Sequence, residues 1–389
     1  MLCREQKPWY FIPAVIGSDN VTAMERKILC LLLVLPTVVS YCHQGVNCHL
    51  PNCFCQTYFH PLDRHIIPQM VYFGFDDGVR EHALPSLDQL FGEPRKNPNG
   101  CPLSVTFYVS GDNTNYGILK DFYNRGYELA AHSVTHGHIT NARRLKEEAE
   151  NQRNNIVTKV PGVTKAAVTG WRSPYLLTAG DAQVDVLKDL GYTYDISLTY
   201  TKKKLDNLNP WPLTLDYGWP FKCLIPPCVN HRHPGFWEVP VNAMRDYSDE
   251  DNCAYFDTCK NETETVQETH EYIMNNFLSH YNGNKAPFGI HMHVGWFKRS
   301  ENLKAMDRAI DDMLSHKGVY IINVKQVIEW MKNPKNLTEL DDFHPWTCFK
   351  DREKSNTMTS SEILLLLFVV AALVLYIYIM VKWLKFRKK

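Results

Sequence analysis

The stretch Met70-Val-Tyr-Phe-Gly-Phe-Asp-Asp-Gly78 is a short apolar run that ends in two acidic residues and a glycine. A run of this length and composition predicts a buried strand that leads into a loop. Further β-rich runs follow at residues 104–110, 287–294 and 319–324. We therefore expect the first strand to belong to a sheet of several buried strands.

Segments with helical spacing lie between these runs. Residues 142–157, 181–190 and 302–316 repeat apolar side chains three and four positions apart. Strands and helices that alternate over about 270 residues predict an α/β fold with a parallel sheet, and a barrel matches that size. In such a fold, polar residues just beyond the strand ends are the first candidates for chemistry.

The composition is that of a globular protein. The 389 residues include 42 Lys and Arg against 42 Asp and Glu, so the formal net charge is zero. This balance argues against a basic nucleic-acid binder and against an acidic tail. Hydrophobic residues make up 44% of the chain, which is enough for a large core and excludes disorder over most of the length. The 12 cysteines indicate an oxidising compartment.

The first long apolar run, residues 28–40, follows two basic residues and ends in small ones. This pattern predicts a secretory signal within an N-terminal extension, residues 1–40, with Met24 as a second possible start of translation. An uncleaved internal signal anchor is the alternative. Cleavage would leave ten cysteines, from Cys42 to Cys348, an even number that suits disulfides of undetermined connectivity.

The second long apolar run, residues 363–381, has 19 residues without a charge and is followed by five cations in residues 382–389. It is long enough to cross a bilayer, and the basic tail predicts a cytoplasmic C-terminus. We therefore expect a single-pass type I membrane protein with its main domain extracellular or luminal. A buried core helix and a removed lipid-anchor signal are the alternatives.

Sequons for N-glycosylation begin at Asn261 and Asn336, in the part expected to be extracellular or luminal. The expected organisation is an extension with a signal (1–40), a cysteine-rich lead-in (41–65), a catalytic domain (66–335), a juxtamembrane segment (336–362), a transmembrane helix (363–381) and a basic tail (382–389).

Two acidic residues and two histidines are the first candidates for chemistry. Asp76 and Asp77 diverge at the strand end, so one can bind a metal while the other accepts a proton. His132 and His136 lie four residues apart on a predicted helical turn and can bind one cation. With Asp77 they would form a set of two histidine ligands and one carboxylate ligand. A plain turn and a chance pair among 16 histidines are the structural alternatives.

Later candidates follow along the chain. Arg172 can hold a carboxylate ionised, and the Tyr175 N–H, after a proline, can face a developing oxyanion. Asp195 can pair with a histidine, which raises the pKa of that histidine and makes it a proton donor. His291 and His293 lie two apart on one strand face, so the residues alone allow either as donor.

These groups, in this order and spacing, resemble the motifs of carbohydrate-esterase polysaccharide deacetylases with the NodB-homology fold, most closely the animal chitin deacetylases. The resemblance spans about residues 42–335 and includes the cysteine-rich residues 48–55 and the segments 236–240 and 286–293. It implies a distorted (β/α) barrel. The sequence departs from the family pattern at two points. Gly74 precedes Phe-Asp-Asp where the family usually has a hydroxyl residue. The family's last motif is Leu-x-His, and either His291 or His293 can be its histidine.

The resemblance also implies a reaction, the hydrolytic de-N-acetylation of N-acetylglucosamine units in chitin or a related polysaccharide. In the family, Asp77, His132 and His136 would hold a divalent metal, most simply zinc. Asp76, kept ionised by Arg172, would be the base, and the Tyr175 amide would donate to the oxyanion. His293, assisted by Asp195, would be the proton donor, and Trp237 would line the acetyl pocket or pack in the core.

Two other functions remain open at this point. One is a membrane-tethered polysaccharide-binding protein without catalysis. The other is an esterase of the same fold that removes O-acetyl groups. Acetate release from N-acetylated and from O-acetylated glycans distinguishes all three.

Overall fold

Residues 41–348 are described by the computed structural model of the chain. The apolar runs 28–40 and 363–381 lie outside the described residues, so the predicted signal and transmembrane helix do too. Among the described helices, none combines the length and the apolar character that a membrane span requires.

Strands and helices alternate along much of residues 41–348. The strands are β1 (Gln69–Asp77), β2 (Thr106–Val109), β3 (Glu128–Ala131), β4 (Gly170–Trp171), β5 (Tyr194–Asp195), β6 (Thr199–Tyr200), β7 (Leu213–Thr214), β8 (Trp237–Glu238), β9 (Val241–Asn242), β10 (Met244–Arg245), β11 (Asn252–Cys253), β12 (Phe288–Met292) and β13 (Val319–Ile321). The α-helices are α1 (Leu84–Phe91), α2 (Tyr116–Asn124), α3 (Ala142–Lys159), α4 (Asp181–Asp189), α5 (Val266–Tyr281), α6 (Ser300–Ser315) and α7 (Val324–Lys332).

One curled sheet has the strand order β12-β1-β2-β3-β4-β5-β8-β7, and β13 pairs with the first residues of β1. Its neighbouring strands are parallel except β7 and β8. Strands β6 and β9 pair separately, just beyond β5 and β8, and β9 lies against β12. The sheet's edge strands, β12 and β7, are not paired with each other in the described chain. The α/β prediction is confirmed, and the expected barrel is a curled, incomplete one.

Strand β1 is buried from both sides, as its near-continuous apolar sequence predicts. Val71, Phe73 and Phe75 belong to the core between the sheet and the helices. Met70 and Tyr72, which alternate with them, belong to a second core inside the curl of the sheet. The period of two along the strand therefore directs Asp76 to the interior side as well.

Helix α7 shows why one predicted strand is shorter than expected. The run at residues 319–324 was predicted to be a strand throughout, but β13 ends at Ile321. Asn323 caps α7, because its side chain accepts a hydrogen bond from the Gln326 N–H and the Gln326 side chain accepts one from the Asn323 N–H. The capping residues end the strand and begin the helix.

The ten cysteines of residues 41–348 form five disulfides. The pairs are Cys42–Cys55, Cys48–Cys53, Cys101–Cys348, Cys223–Cys228 and Cys253–Cys259. This number agrees with the expectation of a disulfide framework, and the structure supplies the connectivity.

Residues 336–348 pack against the domain, although we expected them to be a juxtamembrane segment. Leu340, Phe343 and Trp346 are buried in the core inside the curl of the sheet. The Leu337 N–H donates to the carbonyl of Ile66 at 2.7 Å. The folded domain therefore continues past residue 335 to at least residue 348.

Candidate active site

The register of the sheet aligns the candidate residues at the ends of neighbouring strands. Asp77 of β1 is opposite Val109 of β2, which is opposite Ala131 of β3. His132 directly follows Ala131, and Arg172 directly follows β4, the next strand. Because these strands are parallel, their carboxyl ends place the three polar side chains side by side.

Asp77, His132 and His136 form a cluster whose candidate ligand atoms all lie within 4.8 Å of one another. Oδ1 of Asp77 is 3.0 Å from Nε2 of His136 and 3.8 Å from Nε2 of His132. Despite the short distance, this buried Oδ1 has no hydrogen-bond partner. Two imidazole nitrogens and a carboxylate oxygen that face one another in this way fit a divalent cation such as zinc.

The two histidines meet through a loop, so the prediction of a helical turn at residues 132–136 is wrong. Ser133 and His136 have φ values of 64° and 51°, in the left-handed region, which bends the chain back on itself. Glu148 of α3 holds this loop in place through three hydrogen bonds. Its Oε2 accepts from the backbone N–H groups of Val134 and Thr135 at 2.7 and 3.0 Å, and its Oε1 accepts from the Thr135 hydroxyl at 2.6 Å. A buried carboxylate thus shapes the cluster from a neighbouring helix.

His132 is oriented by a backbone group. Its Nδ1 lies 2.9 Å from the carbonyl oxygen of Arg172, which can only accept, so we assign the proton to Nδ1. Burial lowers the pKa of His132 although Asp76 lies nearby. The ring is therefore neutral, and its Nε2, which carries the lone pair, lies 3.8 Å from Asp77 Oδ1 and 3.7 Å from Asp76 Oδ2.

Asp76 is a buried carboxylate with a partner on each oxygen. Arg172 Nη1 donates to Oδ1 at 2.7 Å, and the Tyr255 hydroxyl donates to Oδ2 at 2.6 Å. Burial by itself raises the pKa of Asp76, but the charge of Arg172 and, after it, His132, the Tyr255 hydrogen bond and His293 together outweigh burial, and the resulting pKa is about 2. The carboxylate is therefore ionised and can accept a proton.

His293 has a carboxylate partner, but it is Asp257 and not Asp195. Oδ2 of Asp257 lies 2.8 Å from His293 Nδ1 and accepts the His293 backbone N–H at 3.1 Å. Nε2 of His293 lies 3.7 Å from Oδ2 of Asp77. Burial lowers the pKa of His293, but the hydrogen bond and charge of Asp257, with the charges of Asp76 and Asp77, outweigh burial and raise the pKa to about 9. The ring is therefore protonated at neutral pH and directed at the cluster.

His291, the other candidate donor, is fully buried. Its Nδ1 lies 2.6 Å from Arg172 Nη2 and must accept from the guanidinium. Burial lowers its pKa well below the usual value, and the Arg172 charge lowers it further. A neutral ring whose lone pair is already used supports Arg172 instead of donating a proton to a substrate.

Asp195 braces the turn that follows Arg172. Its oxygens accept from the Ser197 hydroxyl and from the Gln183 amide. Ser197 Oγ in turn accepts the Ser173 backbone N–H at 2.9 Å, and Gln183 Oε1 accepts the Ser173 hydroxyl at 2.9 Å. The expected assistance of His293 by Asp195 is therefore not found, and Asp195 contributes to the position of Ser173 instead.

Tyr175 and Trp237 have different environments. Tyr175 is 53% exposed, and its ring packs edge-on against the His136 ring with centroids 4.7 Å apart. Trp237 is 1% exposed and stacks on Phe54 in the core. The structure thus places Tyr175 beside the cluster, whereas Trp237 is a core residue and does not line a pocket at the site.

Three residues of the site were missed from the sequence: Glu148, Tyr255 and Asp257. The last two lie in the short segment closed by the Cys253–Cys259 disulfide. A phenol and a carboxylate between two closely spaced cysteines are the signal that could have indicated them. Glu148 offers no such signal, because it is one of several acidic residues on α3.

Comparison with known proteins places the chain in a family. The polysaccharide deacetylase family model matches residues 65–194. Chitin deacetylase 1 of Bombyx mori is 32% identical over 320 residues, covering 77% of this chain and 58% of that protein, so the chain spans less than two thirds of it. Chitin deacetylase 8 of Bombyx mori is 32% identical over 300 residues, covering 74% of this chain and 77% of that protein.

Among solved structures, a family 4 carbohydrate esterase from Streptomyces lividans in complex with acetate is 16% identical with a TM-score of 0.37, covering 65% of this chain and 92% of that one. The chain belongs to the polysaccharide deacetylase family, among its chitin deacetylase-like members.

Proposed function

We propose that this protein is a metal-dependent hydrolase that removes the N-acetyl group from N-acetylglucosamine units of chitin or a related polysaccharide. The observation that carries the proposal is that two proton-transfer groups flank the cluster of Asp77 and the two histidines. Asp76 Oδ2 lies 3.7 Å from His132 Nε2, and His293 Nε2 lies 3.7 Å from Asp77 Oδ2. The two Bombyx mori relatives are chitin deacetylases, which supports chitin as the substrate class.

Asp77, His132 and His136 would hold the metal, zinc in our proposal. When bound there, such an ion polarises a carbonyl group and lowers the pKa of water. The protein contributes the orientation of the ligands, through the Arg172 carbonyl behind His132 and Glu148 behind the loop.

The remaining chemistry belongs to the side chains around the cluster. Asp76, ionised beside Arg172, takes a proton from the water molecule that attacks the acetyl carbonyl. The Tyr175 N–H donates to the oxyanion that develops on that carbonyl. His293, held by Asp257, gives its proton to the departing sugar nitrogen. The C–N bond breaks, a C–O bond forms, and acetate and a free amine are released.

We also propose that the domain is extracellular or luminal, anchored by residues 363–381 as a single-pass type I protein and glycosylated at Asn261 and Asn336. The pairing of all ten described cysteines in disulfides supports an oxidising compartment. Asn261 and Asn336 are at least partly exposed. The two apolar runs of the sequence support the anchor and the signal.

The reaction is tested on the detergent-extracted full chain by measuring acetate release from chitopentaose and from O-acetylated xylan. Each assay is repeated after chelation and after addition of zinc. We expect release from chitopentaose only, lost with the chelator and restored by zinc. Release from the O-acetylated glycan alone would identify an esterase, and binding of chitin without release would identify a binding protein. Either result would overturn the proposal.

Asp76→Asn and Asp77→Asn are matched variants of adjacent residues that separate the base from the metal ligand. We expect Asp77→Asn to lose bound metal and activity together, since it weakens one of three protein ligands. Asp76→Asn should keep the metal and lose turnover by about 10² to 10⁴, the usual contribution of a general base. His132→Ala should behave like Asp77→Asn, and full metal content in His132→Ala would refute the ligand assignment.

A further inference from the structure

The segment between Cys253 and Cys259 contacts both proton-transfer groups of the site. The disulfide closes the segment, with Cα atoms 5.2 Å apart. Its Asp257 binds the His293 ring, as described above. Its other polar side chain that reaches the site is Tyr255, which transfers no proton in the proposed reaction.

Tyr255 touches the base and the proton donor at the same time. Its hydroxyl donates to Asp76 Oδ2 at 2.6 Å. Its ring lies nearly parallel to the His293 ring, with centroids 5.3 Å apart and an interplanar angle of 18°. The Arg172 guanidinium carbon lies 5.9 Å from the centre of the same ring. One side chain therefore spans the distance between the two groups that must exchange protons with water and substrate.

The contact with Asp76 restricts the carboxylate in a way that Arg172 alone does not. The guanidinium donates to Oδ1 through Nη1 only, because Nη2 faces His291 and Nε faces the carbonyl of Ile196. A single hydrogen bond leaves the carboxylate free to turn about its own axis. The phenol on Oδ2 supplies the second fixed point, which sets the plane of the carboxylate.

We propose that Tyr255 is a positioning residue that orients the Asp76 carboxylate through its hydroxyl and the His293 imidazole through its ring. This inference rests on the proposed deacetylation, because it concerns the efficiency of that reaction. Misplacement of a reacting group by about 1 Å can cost about 10²-fold in rate, so the loss of one of two fixed points has a measurable effect.

Tyr255→Phe is the informative variant, because it removes the hydroxyl and keeps the ring over His293. We expect kcat for acetate release from chitopentaose to fall about 10- to 100-fold, with KM and metal content close to those of the wild type. Tyr192→Phe is the matched control. It removes a buried hydroxyl that donates at 2.8 Å to the backbone carbonyl of Ala149 and to no side chain of the site. It should lower the thermal unfolding midpoint and leave kcat unchanged.

A double-mutant cycle with Asp76→Asn tests whether the hydroxyl acts through Asp76. If it does, Tyr255→Phe costs several-fold less in kcat when Asp76 is already Asn. An equal loss in both backgrounds, or a wild-type kcat in Tyr255→Phe, would overturn the inference while leaving the deacetylase proposal intact. A wild-type protein that releases no acetate would overturn both.

Discussion

Gly74 shows how the absence of a side chain shapes this site. A Cβ at this position would lie 2.9 Å from Tyr108 Cε2, 3.2 Å from Arg172 Nη1 and 3.3 Å from His291 Nδ1. The first distance is a clash, and the other two are tight. The glycine that departs from the family pattern therefore leaves room for Arg172 to lie between Asp76 and His291.

At the same scale, His293 and His291 have opposite predicted roles. His293→Ala should lower kcat by about 10² to 10⁴ with metal retained, because it removes the proton donor. His291→Ala should act mainly on stability, by about 1–3 kcal/mol, because it leaves a buried donor of Arg172 without its partner. The measurements are kcat, metal content and the free energy of unfolding.

The stability of each variant serves as the control, since kcat is compared only between folded, metal-loaded proteins. A larger loss of kcat in His291→Ala than in His293→Ala would move the donor role to His291.

At the scale of elements, the cysteine-rich lead-in covers an edge of the sheet. The N–H of Phe54 donates to the Thr214 hydroxyl at 2.9 Å, and the Thr214 N–H donates to the carbonyl of Phe54 at 3.0 Å. Thr214 belongs to β7, the last strand in the sheet order. Pairing with the lead-in uses backbone groups that an edge strand would otherwise expose.

His60 packs the lead-in onto the domain and makes this contact sensitive to acid. Its ring centroid lies 4.8 Å from that of Trp211 and 5.0 Å from that of Trp330. Burial lowers the pKa of His60 to about 4. In the unfolded chain the pKa is about 6.5, so as pH falls from 6.5 to 4 the unfolded state takes up a proton that the folded state does not.

We therefore expect the free energy of unfolding to fall across this window, by up to about 1.4 kcal/mol per pH unit from this residue. His60→Phe should flatten the slope between pH 6.5 and 4, measured by denaturant unfolding at several pH values. Above pH 7.5 the slopes of both proteins should agree, which provides the control. Equal slopes in the acid window would contradict the prediction.

At the scale of the whole molecule, the described domain is closed at its C-terminal end before the predicted anchor begins. The Cys101–Cys348 disulfide joins positions 247 apart in sequence. Every residue of the candidate site lies between Asp76 and His293. The predicted transmembrane run, residues 363–381, is therefore separate from the site in sequence.

Deletion of residues 360–389 should yield a secreted, soluble protein with the kcat of the full chain, because the domain and its disulfides remain complete. The measurements are the partition between medium and membrane and acetate release. Asn261→Gln and Asn336→Gln are the controls for topology, since each should remove one glycosidase-sensitive shift in mobility. A truncated protein that stays with the membrane would contradict the proposed anchor.

The sequence by itself determined the α/β alternation, the first strand and the closeness of Asp76, Asp77 and the two histidines. These depend on local signals, because burial makes a strand apolar and parallel strands bring their carboxyl ends together. It also determined the even number of cysteines in the domain, but not how they pair. The resemblance to a family followed from the same local motifs.

Only the tertiary structure decided which carboxylate assists His293, how Tyr255 reaches Asp76 and where Trp237 lies. Asp257 lies 36 positions before His293, in a short 3-10 turn between the bonded Cys253 and Cys259, where no periodicity of the sequence indicates its direction. Asp195 ends a short strand and resembles a catalytic residue in sequence, but its neighbours direct it to Ser197 and Gln183. Contacts between loops depend on the path of the whole chain, so a local sequence pattern does not predict them.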